Sequence, residues 1–189
     1  MSAVAAKWQG FCGMGLTFAT DSFRLMYTVI AAFMWFVSTL FSFSYMKEYE
    51  NKNRYYFFLL LTLGATVGVF LSGDFFTMYV FFEIMSLASY MWVAQDERKE
   101  SLLAAETYLA IAIIGGLCIL MGMFLLYGET KTLSTLGDLQ IFWQDAPANG
   151  IDKGRLKAAG ILMLLGFGAK AGVVPLHIWL PKAHPVAPA

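Results

Sequence analysis

Five long apolar runs dominate the chain, and the charged residues fall almost entirely between them. The runs extend from about Phe23 to Met46, Tyr55 to Ser72, Phe75 to Ala94, Leu102 to Tyr127 and about Ala158 to Leu180. Each holds about 18–26 residues, enough to cross a ~30 Å hydrocarbon layer as a helix rising ~1.5 Å per residue. The apolar residues are continuous rather than alternating, which argues against strands. In hydrocarbon a helix also satisfies its own backbone polar groups. The expected fold is therefore an all-α integral membrane bundle of about five transmembrane helices. Composition agrees: 59% of residues are hydrophobic and 14% charged, against about 25% charged in soluble domains. A formal net charge of zero gives no basis for nucleic-acid binding.

The connections are short except one. Lys47 to Arg54 and Gln95 to Ser101 are charged loops, and Gly73-Asp74 is a tight turn in which Asp74 is placed to cap the third helix. Gly128 to Lys157 is long and contains an amphipathic stretch, Leu133 to Trp143, expected to be an interfacial helix or ordered loop. Basic residues are denser in the two short loops, which favours placing those loops in the cytoplasm and the N-terminus and long loop outside. Residues 1–22 read as an N-terminal interfacial segment, because the patch from Phe11 to Thr20 is too short and too glycine-interrupted to span. Residues 23–189 read as one transmembrane domain. Cys12 and Cys118 lack CxxC or His/Cys spacing, so no disulfide framework, metal site or iron–sulfur site is expected. No phosphate loop, nucleophile triad or dinucleotide fingerprint is present, and no cofactor is expected.

Ionisable residues inside the runs are few. Lys170 lies within the fifth, where a lysine at the bilayer centre costs roughly 2.5–3.5 kcal/mol on insertion scales. Glu83 lies in the third run at a similar depth and is the natural counter-charge. Tyr79, Glu83, Ser86 and Tyr90 follow i, i+4, i+7, i+11 spacing, a polar stripe expected to face the protein interior. Two readings of a Glu83–Lys170 pair stand side by side. In one it is a switchable pair in which the carboxylate tunes the lysine as a proton carrier; in the other it is a static lock between two helices. Pro175 is expected to break the fifth helix and free the Ala171 carbonyl, with Gly166, Gly168 and Gly172 loosening the segment. His177 is placed to pass protons onward or to bond a freed carbonyl. His184 beyond it, and Glu106 one turn inside the fourth run, are further candidates whose alternatives are loop ordering and a surface position. Gly115-Gly116 and Gly122 read as helix-packing surface, and Phe75, Phe76, Phe81 and Phe82 as lipid-facing or packing surface.

The stretch from Gly166 to Pro188, with the pattern K-x-G-x-x-P-L-H-x-W-L-P-x-A-H starting at Lys170, resembles the broken-helix signature of the antiporter-like proton-conducting subunits. These occur in respiratory complex I, membrane-bound hydrogenases, formate hydrogenlyases and Mrp-type cation/proton antiporters. Its ending, Ala183-His184-Pro185-Val186-Ala187-Pro188, is most similar to the hydrogenase and Mrp-type branches. Gly73 to Ser86 resembles the family's glutamate helix. The resemblance implies that Glu83 is the family's essential glutamate and Lys170 its central lysine. It implies about fourteen helices in two inverted repeats, of which this chain resembles the third to seventh, as a split subunit or a truncated portion. Where the family often has a basic residue near the start of the fourth run, this chain reads Ala105-Glu106-Thr107-Tyr108. The implied role is proton or cation translocation through one half-channel of a redox-driven respiratory or hydrogenase complex, with electrons confined to partner subunits. The alternatives are a subunit of a multi-subunit Na+/H+ antiporter and a non-conducting structural half-antiporter; a stand-alone antiporter is disfavoured. The implied partners are other membrane subunits, the lipid bilayer, and protons or Na+, in a prokaryotic cytoplasmic membrane.

Overall fold

The computed structural model describes residues 3–8, 10, 14–49, 51–135 and 150–187. Two strands, β1 (Ala3–Trp8) and β2 (Leu16–Thr20), pair antiparallel, with a register shift between Val4 and Ala6. Helices α1 (Ser22–Tyr45), α2 (Lys52–Phe70), α3 (Phe75–Val93), α4 (Lys99–Thr130) and α5 (Lys153–Ala171) follow. A 3₁₀ turn at Leu176–Trp179 and a single helical turn, α6 (Leu180–Ala183), complete the described chain. The bundle is helical as expected, and the two strands lie in the N-terminal segment before the first span. Outside the spans Leu16-Thr17-Phe18-Ala19-Thr20 alternates large and small residues and is rich in β-formers, a pattern that suits a half-buried strand. The amphipathic stretch from Leu133 to Trp143 lies largely outside the described residues, as does Cys12.

Four segments are long and apolar enough to cross a membrane by length and composition: Ser22–Tyr45, Phe75–Val93, Lys99–Thr130 and the composite Lys153–Ala183. α2 falls short on that measure because Lys52, Asn53 and Arg54 occupy its first turn. Its uncharged residues 55–70 nevertheless lie between α1 and α3, with Tyr55, Leu59, Thr62, Ala65 and Gly68 buried. α4 has 32 residues, about 48 Å at 1.5 Å per residue, so it outruns a ~30 Å hydrocarbon layer unless tilted.

Backbone hydrogen bonds sort the connections onto two sides. On one, Gly73 N donates to Thr17 O (2.7 Å), Ala19 N to Leu71 O (2.8 Å), Phe75 N to Leu133 O (2.8 Å) and Thr135 N to Gly73 O (3.1 Å). The N-terminal hairpin, the α2–α3 turn and the start of the long loop are thus laced together. On the other side, Arg54 Nη2 donates to Gln95 O (2.8 Å) and its guanidinium pairs with Glu97, joining the two short basic loops. This is the alternation an odd number of spans requires between those loops and the long one.

The core follows small residues. On α4, Gly115, Ile119 and Gly122 share a face at i, i+4, i+7 spacing and meet Ala159, Met163 and Gly166 of α5. A side chain built at Gly122 would lie 2.6 Å from Met163 Cγ and 2.8 Å from Ala159 O; one at Gly166 would strike Gly115 O and Ile119 Cγ1. Close backbone approach through small residues is how membrane helices gain van der Waals contact where the lipid offers no hydrophobic drive. Phe82 packs edge-on to Phe167, centroids 5.3 Å apart, and Phe81 lies against Gly68, so these aromatics are packing surface.

Candidate functional site

α3 is anchored at its start by Asp74, whose carboxylate accepts from Thr77 N (2.6 Å) and Thr77 Oγ1 (3.1 Å). This is a capped N-terminus of the kind the Gly73-Asp74 turn predicts. Two turns further on, Glu83 points at α4. A side chain at Gly116 would collide with its carboxylate, the Cδ atom standing 2.9 Å from such a Cβ. Gly116 is therefore a seat for Glu83, while its neighbour Gly115 belongs to the α4–α5 seam. Glu83 Oε1 is buried and has no hydrogen-bond partner among the described residues; Ser86 Oγ, one turn along, is likewise unpartnered. Buried polar atoms are rarely left so.

Lys170 stands in the last turn of α5. The break comes earlier than a proline-driven break would place it. Gly172 adopts the left-handed conformation (φ 73°), Val173 N donates to Gly168 O (2.9 Å) and Gly172 N to Ala169 O (3.4 Å). This is a Schellman termination, with the glycine supplying the positive φ. Pro175 lies inside the break, before the 3₁₀ turn; the helix has already ended at Ala171, so the glycine rather than the proline ends it. The Trp179 indole donates to Ala169 O (2.8 Å), tying the chain beyond the break to the helix before it. Lys170 consequently sits at a helix C-terminus, where the carbonyl end of the macrodipole favours a cation.

The Lys170 ammonium donates to the Tyr108 hydroxyl and lies 4.7 Å from the centre of the Tyr108 ring. Tyr108, fully buried on α4, donates in turn to Ser86 O of α3 (2.9 Å), and its ring meets Trp179 edge-on at 5.0 Å. One phenol thus joins α3, α4, α5 and the segment beyond the break. Among the described residues Lys170 and Glu83 make no ion pair within 4.0 Å. The direct contact expected of the pair is absent because the phenol takes the ammonium first.

The remaining candidates lie elsewhere. His177 and His184 are exposed and share an open groove with Leu180, Pro181 and Pro185, and neither bonds to the Lys170 group. Glu106 is exposed on α4, while its neighbour Ala105 is fully buried. Tyr108 is the residue that sequence reasoning passed over. Its signal was available: it precedes Gly115, Ile119 and Gly122 by 7, 11 and 14 positions and so shares the face of α4 that meets α5.

Residues 72–189 match the family model described as "NADH:quinone oxidoreductase/Mrp antiporter, TM". The chain is 32% identical over 175 residues to a Na(+)/H(+) antiporter subunit of Bacillus subtilis, covering 93% of this chain and 34% of that protein. It is 33% identical over 175 residues to hydrogenase-4 component B of Escherichia coli, covering 92% of this chain and 25% of that protein. Among solved structures it is similar to a chain of the Mrp complex from a Dietzia species (TM-score 0.79, 25% identity, 98% of this chain and 33% of that one). It is also similar to a chain of the membrane-bound sulfane sulfur reductase, an archaeal respiratory membrane complex (TM-score 0.78, 26% identity, 98% and 36%). The chain spans about a third or less of the length of these relatives. The apolar helices and bacterial relatives make it an integral protein of the cytoplasmic membrane. With the family model matching more than half of its residues, the chain belongs to the NADH:quinone oxidoreductase/Mrp antiporter transmembrane family.

Proposed function

We propose that this chain forms one proton-conducting half-pathway of a multi-subunit membrane complex, with Lys170 as the proton carrier and Glu83 as the charge that biases it. One observation carries the reading. A lysine deep in an apolar bundle is held by a neutral phenol, while the carboxylate that should neutralise it is buried nearby with an unpartnered oxygen. A static lock between helices would close that pair, since a buried charge left without its counter-charge is strongly unfavourable. An open pair suits a group that must take and give up a proton. Lysine fits the task because its proton affinity responds to burial and neighbouring charge. His177 and His184, together in the groove beyond the break, are placed to accept protons from water on that side. Glu106, on the outer face of α4, is left without a conducting role.

Relatives of both kinds support the setting: the Bacillus subtilis protein belongs to an antiporter and the Escherichia coli protein is a hydrogenase component. In either, this chain contributes the pathway, and the driving force comes from partner subunits or from an opposing cation gradient. Lys170→Ala, assayed as proton movement per assembled complex in everted membrane vesicles, is expected to lower the rate roughly 100-fold or more. Unchanged pumping per complex would remove the assignment. Driving the same vesicles first with a respiratory substrate and then with an imposed Na+ gradient distinguishes the redox-driven setting from the antiporter one.

A further inference from the structure

The phenol between Lys170 and α3 is a polar group whose presence the family reading does not require. Its hydroxyl accepts from the ammonium and donates to Ser86 O (2.9 Å), and the ammonium lies 4.7 Å from the ring centre, on the hydroxyl side. The hydrogen bond to the hydroxyl favours a cation, because its donor is charged. The other seat open to this lysine is equally defined. Ala169 abuts Gly115 (3.0 Å to a side chain built there), and the Glu83 carboxylate rests on the adjacent Gly116. The residue before Lys170 is thus packed beside the glycine pair that seats the carboxylate, while the Lys170 ammonium bonds to Tyr108 and makes no ion pair with Glu83. Glu83 Oε1, buried and unpartnered, is an acceptor without a donor at that second seat.

We propose that Tyr108 is a positioning residue that parks Lys170 away from Glu83, so that the lysine alternates between a seat on the phenol and a seat on the carboxylate. This rests on Lys170 being the proton carrier. In the parked seat the lysine is held by a neutral partner, and its proton is not locked by an opposite charge. In the paired seat the carboxylate holds the proton on the lysine. Tyr108 itself neither gains nor loses a proton in the cycle; its O–H stays on Ser86 O. The ring also touches Trp179, whose indole bonds across the break, so the parked seat is braced by the segment after the discontinuity.

The test is a double-mutant cycle on the assembled complex in native membranes, with complex content measured and rates expressed per complex. Tyr108→Phe keeps the ring and removes the hydroxyl. It is expected to slow proton movement about tenfold, the worth of one hydrogen bond to a charged group. Glu83→Gln removes the other seat and is expected to slow transport by itself; because both substitutions disable the same alternation, the double variant is expected to lose less than the product of the two single losses. Losses that multiply independently, or a Tyr108→Phe rate per complex equal to wild type, overturn the proposal. If Lys170→Ala abolishes transport while Tyr108→Phe leaves it intact, only the parking role fails; if Lys170→Ala is itself silent, the carrier assignment falls first. Should Tyr108→Phe fail to assemble, 3-fluorotyrosine at position 108 keeps the shape while weakening the hydroxyl as an acceptor. An intermediate slowing is expected, and an unchanged rate overturns the proposal.

Discussion

The α4–α5 seam and the α1–α2 contact are helix pairs of one bundle built in opposite ways. At the seam, Gly115 and Gly122 meet Ala159, Met163 and Gly166, with no room for a further carbon. Between α1 and α2 the contact is made by large side chains. Trp35 Nε1 donates to Leu59 O (3.2 Å) and Phe43 packs on Tyr56 (5.6 Å), leaving a groove lined by Trp35, Ser38, Phe41, Tyr55 and Leu59. The difference shows where a membrane protein can hold charge. Lys170 and Tyr108 hang from the two helices whose backbones are fixed by small residues, so ammonium and phenol meet, while the Glu83 carboxylate rests on Gly116 of α4. α1 presents mostly exposed apolar side chains, Phe23, Phe33, Phe36 and Phe41 among them, and carries no buried charge along its span.

Substitutions at the seam break the comparison most sharply. Gly166→Leu must displace the Gly115 carbonyl and Ile119; loss of the folded complex is expected, read as its absence from detergent-solubilised membranes. Gly116→Ala separates packing from function. The added carbon strikes the Glu83 carboxylate, while helix propensity alone favours alanine over glycine by up to about 1 kcal/mol. Normal assembly with transport reduced roughly tenfold is expected, a loss of about 1.4 kcal/mol in transition-state terms; full activity would show that the seat of the carboxylate does not matter. Asp74→Ala removes the α3 cap and should lower thermal stability by about 1 kcal/mol, measured by unfolding of the purified complex. The Asp21 carboxyl, capping α1 outside the span, is held below its ordinary 3.8, first by the Arg24 backbone N–H and then by the Arg24 side chain against an opposing desolvation. Its capping contribution is therefore present above 3.8 and lost only as pH falls through the lower folded value, an effect confined to strongly acidic melts. Phe36→Leu, on the exposed face of α1, should change stability by less than about 0.5 kcal/mol.

Much of this arrangement was legible in the sequence. The apolar runs give the helices, Asp74 gives the cap, and the glycines of α4 mark the seam. The boundaries moved where local chemistry outweighed hydropathy. α5 begins at Lys153 because Asp152 accepts from Gly154 N (2.7 Å) and Glu129 binds both Asp152 N (3.1 Å) and Arg155 (3.1 Å). It stops at Ala171 because Gly172 can take a positive φ, which a reading centred on Pro175 overlooks. The hairpin at the N-terminus escaped notice because short alternation is a weak signal beside long apolar runs. Within the site, similar depth identified Glu83 and Lys170, but depth does not specify contact. Which partner takes the ammonium depends on a residue 62 positions away on the preceding helix, and only the packing of α4 on α5 brings Tyr108 into reach.

The most direct measurement is proton movement per assembled complex in Lys170→Arg. Arginine keeps the positive charge and can lie over the Tyr108 ring, yet it does not release its proton at physiological pH. If Lys170 carries protons, the complex should assemble normally and its transport should fall roughly 100-fold or more. Transport at the wild-type rate would contradict proton carriage and leave Lys170 as a fixed charge that holds the bundle together.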